Sequence, residues 1–308
     1  MGKRKKVLLV GAGDIGSRII AGLGAGSEVV ATTSSRSGRA RLRRLGARPV
    51  LANLDKPGTL RRLPRDCETL FHCAPPPGSG RRDTRTRNLL RNLGLAAGTA
   101  PDTRPRSLAR SIVYLGTTGV YGDCDGELVS EARAPAPSNA RAWRRVDAER
   151  SLTRAARRSG VRLTILRVPG IYSESRLPVD RVRAGTPAIV HREDSYTNHI
   201  HAADLAAIAR AAARRMARRA RPLVRVYNAC DNSELKMGEW FDMVARAFAL
   251  PPPPRLPREA VRARVSPMLY SFMRESRRLS NARMKRELRV RLQFPTVAEG
   301  LEAARAAL

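Results

Sequence analysis

Apolar positions along this chain come in short unbroken runs separated by stretches of helical spacing. Val7-Leu8-Leu9-Val10 is one such run, and Ile19, Ile20 and Leu23 follow it at the spacing of a helix. Glu28 to Thr33, Arg48 to Ala52, Cys67 to Ala74 and Ser111 to Leu115 read as further strands. Between them a helical stretch ends at Leu45, and Leu89, Leu90 and Leu93 give a helix over Asp83 to Ala97. Strands alternating with helices predict an α/β fold, a doubly wound parallel sheet. Pro75-Pro76-Pro77-Gly78 can extend neither strand nor helix, so the chain must turn at the carboxyl edge of that sheet. The polar loop Pro101 to Arg106 leads into the fifth strand.

Past Tyr172 the pattern changes. Leu177 to Gly185 reads as a short helix, Pro187 to Val190 as a small strand, and Ala202 to Arg219 as a long helix returning to the sheet before the strand Val224 to Tyr227. Lys236 to Leu250 carries Trp240, Phe241, Val244 and Phe248 on one helical face, a stripe of core character. Pro251 to Pro254 is a rigid turn, Met268 to Met273 opens another apolar face, and a closing helix starts at Thr296. The expected division is residues 1–172, with 197–230 returning to them, as a nucleotide-binding domain. Residues 173–196 and 231–308 form a smaller, mostly helical C-terminal lobe, whose place over the sheet edge makes a cleft for substrate.

The first strand breaks into Gly11-x-Gly13-x-x-Gly16, where a Rossmann-type dinucleotide fingerprint belongs. The first glycine permits the tight turn, the second lets backbone approach a pyrophosphate, and the third lets the helix pack closely on the strand. Asp14 and Ile15 open that helix, whose free N–H groups face the anion. At the end of the second strand an acid would hold the adenosine ribose of NAD. Between Val29 and Arg39 there is none, and Thr33, Ser34 and Arg36, with Arg39 as a weaker candidate, suit the 2′-phosphate of NADP(H) better. Both arginines also fit solvated surface positions in a chain so rich in them. Asn53, Leu54, Ala74 and Pro75 end the third and fourth strands and complete the expected cofactor wall.

Composition changes the picture little. The 308 residues are 42% hydrophobic, enough for one large or two unequal domains, and no apolar run approaches a membrane span. The basic start Lys3 to Lys6 precedes an apolar run cut after four residues, too short for a signal peptide. Cys67, Cys73, Cys124 and Cys230 lack paired spacing, which suits free thiols and a cytoplasmic protein. The net charge of +32 predicts nonspecific adhesion to polyanions. Only six of the 59 basic residues are lysine, and the arginines are scattered without a nucleic-acid-binding motif, so no specific nucleic-acid partner is expected.

Ile112 to Gly122, with Thr117, Thr118 and Tyr121, resembles the strand-five signature of extended short-chain dehydrogenase/reductases, the NAD(P)-dependent epimerase/dehydratase group. Leu166 to Tyr172, with Pro169 and Gly170, resembles the segment beside the nicotinamide, and Asn198-His199-Ile200-His201-Ala202-Ala203-Asp204-Leu205-Ala206 resembles a further motif of that family. Tyr227-Asn228 matches the last strand. The resemblance implies a Ser/Thr with a Tyr-x-x-x-Lys pair for proton transfer. Thr117 matches the hydroxyl, but alignment through Glu149 puts Arg141 at the tyrosine and Arg145 at the lysine. Arginine has no acceptor and stays charged, so Arg141 cannot be the general base, while Arg145 can still bind ribose or phosphate.

Asp83 stands near the family's usual active-site asparagine, and Val10 replaces the first glycine of the commoner Gly-x-x-Gly-x-x-Gly form. Both departures resemble the atypical branch of the superfamily, inferred to bind NADP. The catalytic candidates are Thr117, Asp83 and Tyr121, with Tyr172 beside them. The two tyrosines equally suit loop packing, and Asp83 equally suits a helix cap. His199 and His201 are too close for joint metal ligation on a helix and more simply fasten a loop; His72 reads as a core histidine, and no metal site is expected.

The expected function is an NADP(H)-binding, epimerase/dehydratase-like oxidoreductase acting on a carbonyl or nucleotide-sugar-like substrate. A noncatalytic NADP(H)-binding sensor or scaffold is the alternative left open by the missing Tyr–Lys pair. The helices Asp83–Ala97 and Pro137–Arg157 offer a face for a homodimer, against the mutual repulsion of their arginines.

Overall fold

Runs that are apolar on both faces must be covered on both faces, and the chain satisfies this with one parallel sheet between two helical layers. The computed structural model describes residues 4–96, 109–218 and 224–306; Lys3, Ala97, the Pro101–Arg106 loop and Arg219 lie outside them. The strands are β1 (Lys5–Val10), β2 (Ser27–Thr33), β3 (Arg48–Leu51), β4 (Thr69–His72), β5 (Ser111–Leu115), β6 (Arg162–Arg167) and β7 (Val224–Asn228). They lie in the order β7-β6-β5-β4-β1-β2-β3, all pairs parallel. The order reverses beside β1, which opens a crevice at its carboxyl end.

Alternation along each strand sorts the core. Leu9, Phe71, Val113 and Leu166 point to one face, against Ile19 of α1 (Asp14–Ala21) and Leu205 and Ile208 of the helix Ala202–Arg218. Leu8, Leu70, Ile112 and Ile165 point to the other. There they meet Leu89 and Leu90 of α3 (Thr84–Asn92) and Leu152 of α4 (Ala140–Ser159). Truncating a fully buried leucine such as Leu9 to alanine would cost about 2–5 kcal/mol.

The helix expected over Asp83–Ala97 is shorter, because Gly94 adopts φ +69° and turns the chain out after Leu93. The helix expected from Pro137 starts at Ala140, where the Asn139 side chain accepts from the Ala142 N–H at 2.9 Å. The remaining helix of the nucleotide-binding half is α2 (Arg36–Arg44), capped by Ser35.

A second core lies outside the sheet. Tyr172, Val182, Ile189, Trp240, Phe241, Val244, Met273 and Leu301 pack together, drawn from the short strands Gly170–Tyr172 and Ala188–Ile189, the short helix α5 (Val179–Arg183) and the later helices. Trp240, Phe241 and Val244 form the expected buried stripe of the helix Met237–Ala247. Gly170–Tyr172 pairs in parallel with His199–His201, away from the main sheet. The helix Pro267–Met273 has Ser266 as its cap and proline in its first turn, yet leaves Met268 and Phe272 exposed.

Candidate functional site

The glycine loop is shaped by contacts no larger residue tolerates. Gly11 has φ +91°, and a Cβ there would stand 2.4 Å from the Ala74 backbone nitrogen. A Cβ on Gly16 would stand 2.6 Å from the Gly11 carbonyl oxygen, so the third glycine seats α1 against the turn. Gly13 has nothing within 4 Å of such a Cβ. Gly11 and Gly16 are closed by the protein itself, whereas the space at Gly13 is free for a ligand. Gly13 also caps α1 without a side chain, so no side chain occupies the first-turn N–H groups. This cradle fits a dinucleotide pyrophosphate.

A cavity of about 640 Å³ extends from the loop along the carboxyl ends of β1 to β5. Gly11, Gly13, Asp14, Ile15 and Gly16 line it, as do Thr33 and Ser34. Asn53, Leu54, Ala74, Pro75 and Arg145 line it too. Arg36 and Arg39 do not; the arginine in this wall is Arg41. Its guanidinium donates to the Ser17 hydroxyl and to the Ala12 carbonyl, fixing it across the glycine loop. The phase of α2 decides the choice: Leu42 is its buried residue, while Arg36 is exposed at its first position. Nothing in the sequence distinguishes Arg41 from its four arginine neighbours in α2.

Two of the arginines lining this cavity, Arg85 and Arg176, meet carboxylates. Arg85 meets Asp55 at 2.6 Å, and Asp14 in the first turn of α1 is held by Arg18 at 2.8 Å and Arg176 at 3.6 Å. Those two arginines offset a carboxylate that would otherwise repel an anion at the same helix end.

Through Gly116, Arg145 and Val168 the first cavity adjoins a second of about 910 Å³ between the sheet edge and the helical lobe. Thr117, Pro169 and Gly170 line the second one, as does Arg141. Arg145, one turn along α4, reaches both; its Nη1 donates to the Tyr114 hydroxyl at 3.1 Å and the Leu115 carbonyl at 3.2 Å. Burial pushes the Tyr114 phenol up to about 12, so it remains protonated at neutral pH.

Two proposed catalytic side chains lie elsewhere. Asp83 is buried as the cap of α3, accepting from the Thr86 N–H at 2.9 Å and the Thr86 hydroxyl at 2.8 Å, and lines neither cavity. The demand of the helix end for an acceptor outweighs any role in the cleft. Tyr121 is also buried: its hydroxyl donates to Asn228 Oδ1 at 2.7 Å, and Arg167 covers its ring. Arg167 is locked to Glu149 at 2.8 Å in turn, so Tyr121 belongs to a buried structural network.

Tyr172 does line the second cavity, with its hydroxyl on the Thr296 carbonyl at 3.3 Å. Burial raises its pKa. His199 in the same wall is pushed down to about 3 by burial, a neutral imidazole packed 4.6 Å from the Trp240 ring. His72 is a core histidine bonded to the Thr86 hydroxyl at 2.8 Å and driven down to about 4 by burial. Sequence reasoning missed Tyr196, Met268, Phe272 and the arginines Arg144, Arg181 and Arg277 of this wall. They converge from segments far apart in the chain.

A model of the family described as NAD dependent epimerase/dehydratase matches residues 7–230. A functionally unknown conserved protein from Silicibacter pomeroyi DSS is 29% identical, with a TM-score of 0.76 over 98% of this chain and 99% of that one. UDP-glucuronic acid 4-epimerase from Bacillus cereus, solved with UDP-glucuronic acid and NAD, is 16% identical, with a TM-score of 0.73 over 98% of each chain. A putative NAD-dependent epimerase/dehydratase from Methylobacillus flagellatus is 22% identical, with a TM-score of 0.68 over 99% of each chain. Among curated proteins no match is found.

Proposed function

This chain belongs to the NAD dependent epimerase/dehydratase family, and on that premise we propose that it is an NADP(H)-dependent oxidoreductase acting on a carbonyl or nucleotide-sugar-like substrate. The observation that carries the reading is the continuity of the two cavities through Gly116 and Arg145 at the carboxyl edge of the sheet. A dinucleotide laid on the glycine loop has its reactive end directed to that junction.

The NADP preference is supported by the residues ending β2. Thr33, Ser34 and Ser35 bring hydroxyls and no carboxylate, and Arg41 brings a fixed cation. Bound NADPH would supply a hydride at the junction. Arg145 would hold ribose hydroxyls. Thr117 offers its hydroxyl to a substrate oxygen, while its own oxygen accepts the Gly119 N–H at 3.2 Å. Arg141 stabilises negative charge but cannot exchange a proton, so the proton comes from water.

The replacement of the Tyr–Lys pair by Arg141 and Arg145 favours a second reading, a noncatalytic NADP(H)-binding sensor. Parallel fluorescence titrations with NADPH and NADH, followed by turnover assays on carbonyl and UDP-sugar panels, separate the two. Tighter NADPH binding with turnover supports the enzyme; binding without turnover leaves the sensor. Binding of neither nucleotide overturns both.

A further inference from the structure

The second cavity differs in chemistry from a site built for sugars. Four of its neutral polar side chains already serve the backbone. Asn198 donates to the Arg277 carbonyl at 2.8 Å and accepts from the Leu279 N–H at 3.0 Å. Asn139 accepts from Ala142, Ser266 from Leu269, and Thr117 from Gly119. A hydroxyl-rich ring asks for neutral donors and acceptors, and each of these four side chains has a polar atom already committed to the backbone, with the Thr117 and Ser266 hydroxyl protons left to donate.

What remains is cationic and apolar. The first two turns of α4 contain Arg141, Arg144 and Arg145, with no acid in the first, an unfavourable arrangement at the positive end of a 20-residue helix. Arg144 is only 7% exposed and lines the cavity. Its Nη1 donates to the Gly80 carbonyl at 2.6 Å, while its buried Nε has no partner. Among the described residues Arg141 has no ion-pair partner within 4 Å; it lies 4.2 Å from the centre of the Phe272 ring, and burial lowers its pKa. The carboxylate in the same wall, Glu275, attracts Arg141 from a distance but is itself bound by Arg277 at 2.9 Å and by the Ser138 hydroxyl at 2.5 Å. Opposite in character, Trp240, Met268 and Phe272 line the cavity with carbon, and Met268 and Phe272 remain 69% and 49% exposed at its edge. A cluster of desolvated cations beside an exposed apolar wall is complementary to a molecule that is both acidic and apolar.

We propose that the second cavity binds an amphiphilic acid, an aromatic or alkyl body bearing a carboxylate or phosphate, with the anion at the α4 end on Arg141 and Arg144 and the body against Phe272, Met268 and Trp240. This rests on the reading of that cavity as the substrate site, and it selects an acid-bearing carbonyl compound over a nucleotide sugar. Arg141 thereby becomes an anion receptor at the helix position where relatives of this fold are expected to keep a proton-transfer tyrosine.

Calorimetric titration of the full chain at physiological salt tests it with defined probes. These are phenylpyruvate and phenyl phosphate, acetate and inorganic phosphate as anions alone, benzyl alcohol as apolar body alone, and UDP-glucose. At least one aromatic acid should bind about tenfold or more tighter than the other three classes, and the better of the two identifies the acid as carboxylate or phosphate. Arg141→Met should weaken that binding about tenfold, whereas Arg246→Met, which removes the same charge from an exposed position outside the cavity, should not. Phe272→Ala, a change at an exposed side chain, should weaken the aromatic acids and leave acetate unchanged, which keeps the test decisive if Arg141→Met folds poorly. Tighter binding of UDP-glucose, or equal losses from Arg141→Met and Arg246→Met, overturns the proposal. NADPH titration of the same sample is read separately. Its failure sinks the oxidoreductase reading alone, while intact NADPH binding without aromatic-acid preference sinks this inference alone.

Discussion

The two cavities share a wall and are built in opposite ways. The first is made of backbone: a glycine turn, a helix end and the carboxyl ends of strands, with each facing cation given a partner, as Arg85 is by Asp55 and Arg41 by the Ala12 carbonyl. The second is made of side chains drawn from the sheet edge and the helical lobe, with Arg141 lacking an ion-pair partner among the described residues. A backbone site is rigid and general, since every member of a fold can repeat it. A side-chain site is specific, and its uncompensated charges state what ligand it lacks.

The largest expected effect is Gly11→Ala. Overlap with the Ala74 backbone at 2.4 Å and a φ of +91° would cost about 3 kcal/mol or more, seen as a lower midpoint in thermal or urea unfolding. An unchanged midpoint would mean that the loop is far more pliable than its contacts imply.

Asp231 sharpens the contrast from the other side. It sits beneath the second cavity, its backbone N–H on the His199 carbonyl at 2.8 Å, with one carboxyl oxygen buried and unpartnered. Burial pushes it up to about 7. The unfolded chain ionises this group near pH 4 and the folded chain only near pH 7. Stability is therefore lost as pH rises between those values and is constant above them. Asp231→Asn should remove that loss, gaining on the order of a few kcal/mol at pH 8 relative to the parent while showing little gain at pH 4. Parallel denaturation curves of parent and variant across that range would count against it.

Gly13→Ala should change stability by no more than about 1 kcal/mol, since its Cβ meets nothing within 4 Å, yet weaken NADPH binding more than tenfold by closing the approach to the phosphates. Retained affinity would place the dinucleotide elsewhere. The smallest effect is a difference between neighbours: Arg41→Ala should weaken NADPH about tenfold with little effect on NADH, and Arg36→Ala should alter neither. Equal losses of both nucleotides in Arg41→Ala would remove the 2′-phosphate from the account.

What could be read from the chain follows the same division. The glycine loop, six of the seven strands and the ends of β2, β3 and β4 were legible because local spacing dictates them: a strand that stops in glycine or proline ends where ligand begins. The strand Arg162–Arg167 was touched only through the resemblance of Leu166–Tyr172. Arg41 was not, because choosing among five arginines in one short helix requires its phase, and that is set by the burial of Leu42. Asp83 and Tyr121 misled for a related reason. Their residue types suit proton transfer, but the acceptor needs of α3 and of Asn228 occupy them. The wall formed by Arg141, Arg181, Trp240, Met268 and Phe272 is spread over more than a hundred residues, so no local pattern announces it.

Arg145 and Arg176 each face both cavities. Two ligands seated there are thermodynamically linked: whatever factor the first imposes on the affinity of the second, the second must return to the first. The shared wall thus makes order of arrival and mutual affinity two views of one number, and that number reports whether the two halves work as a unit.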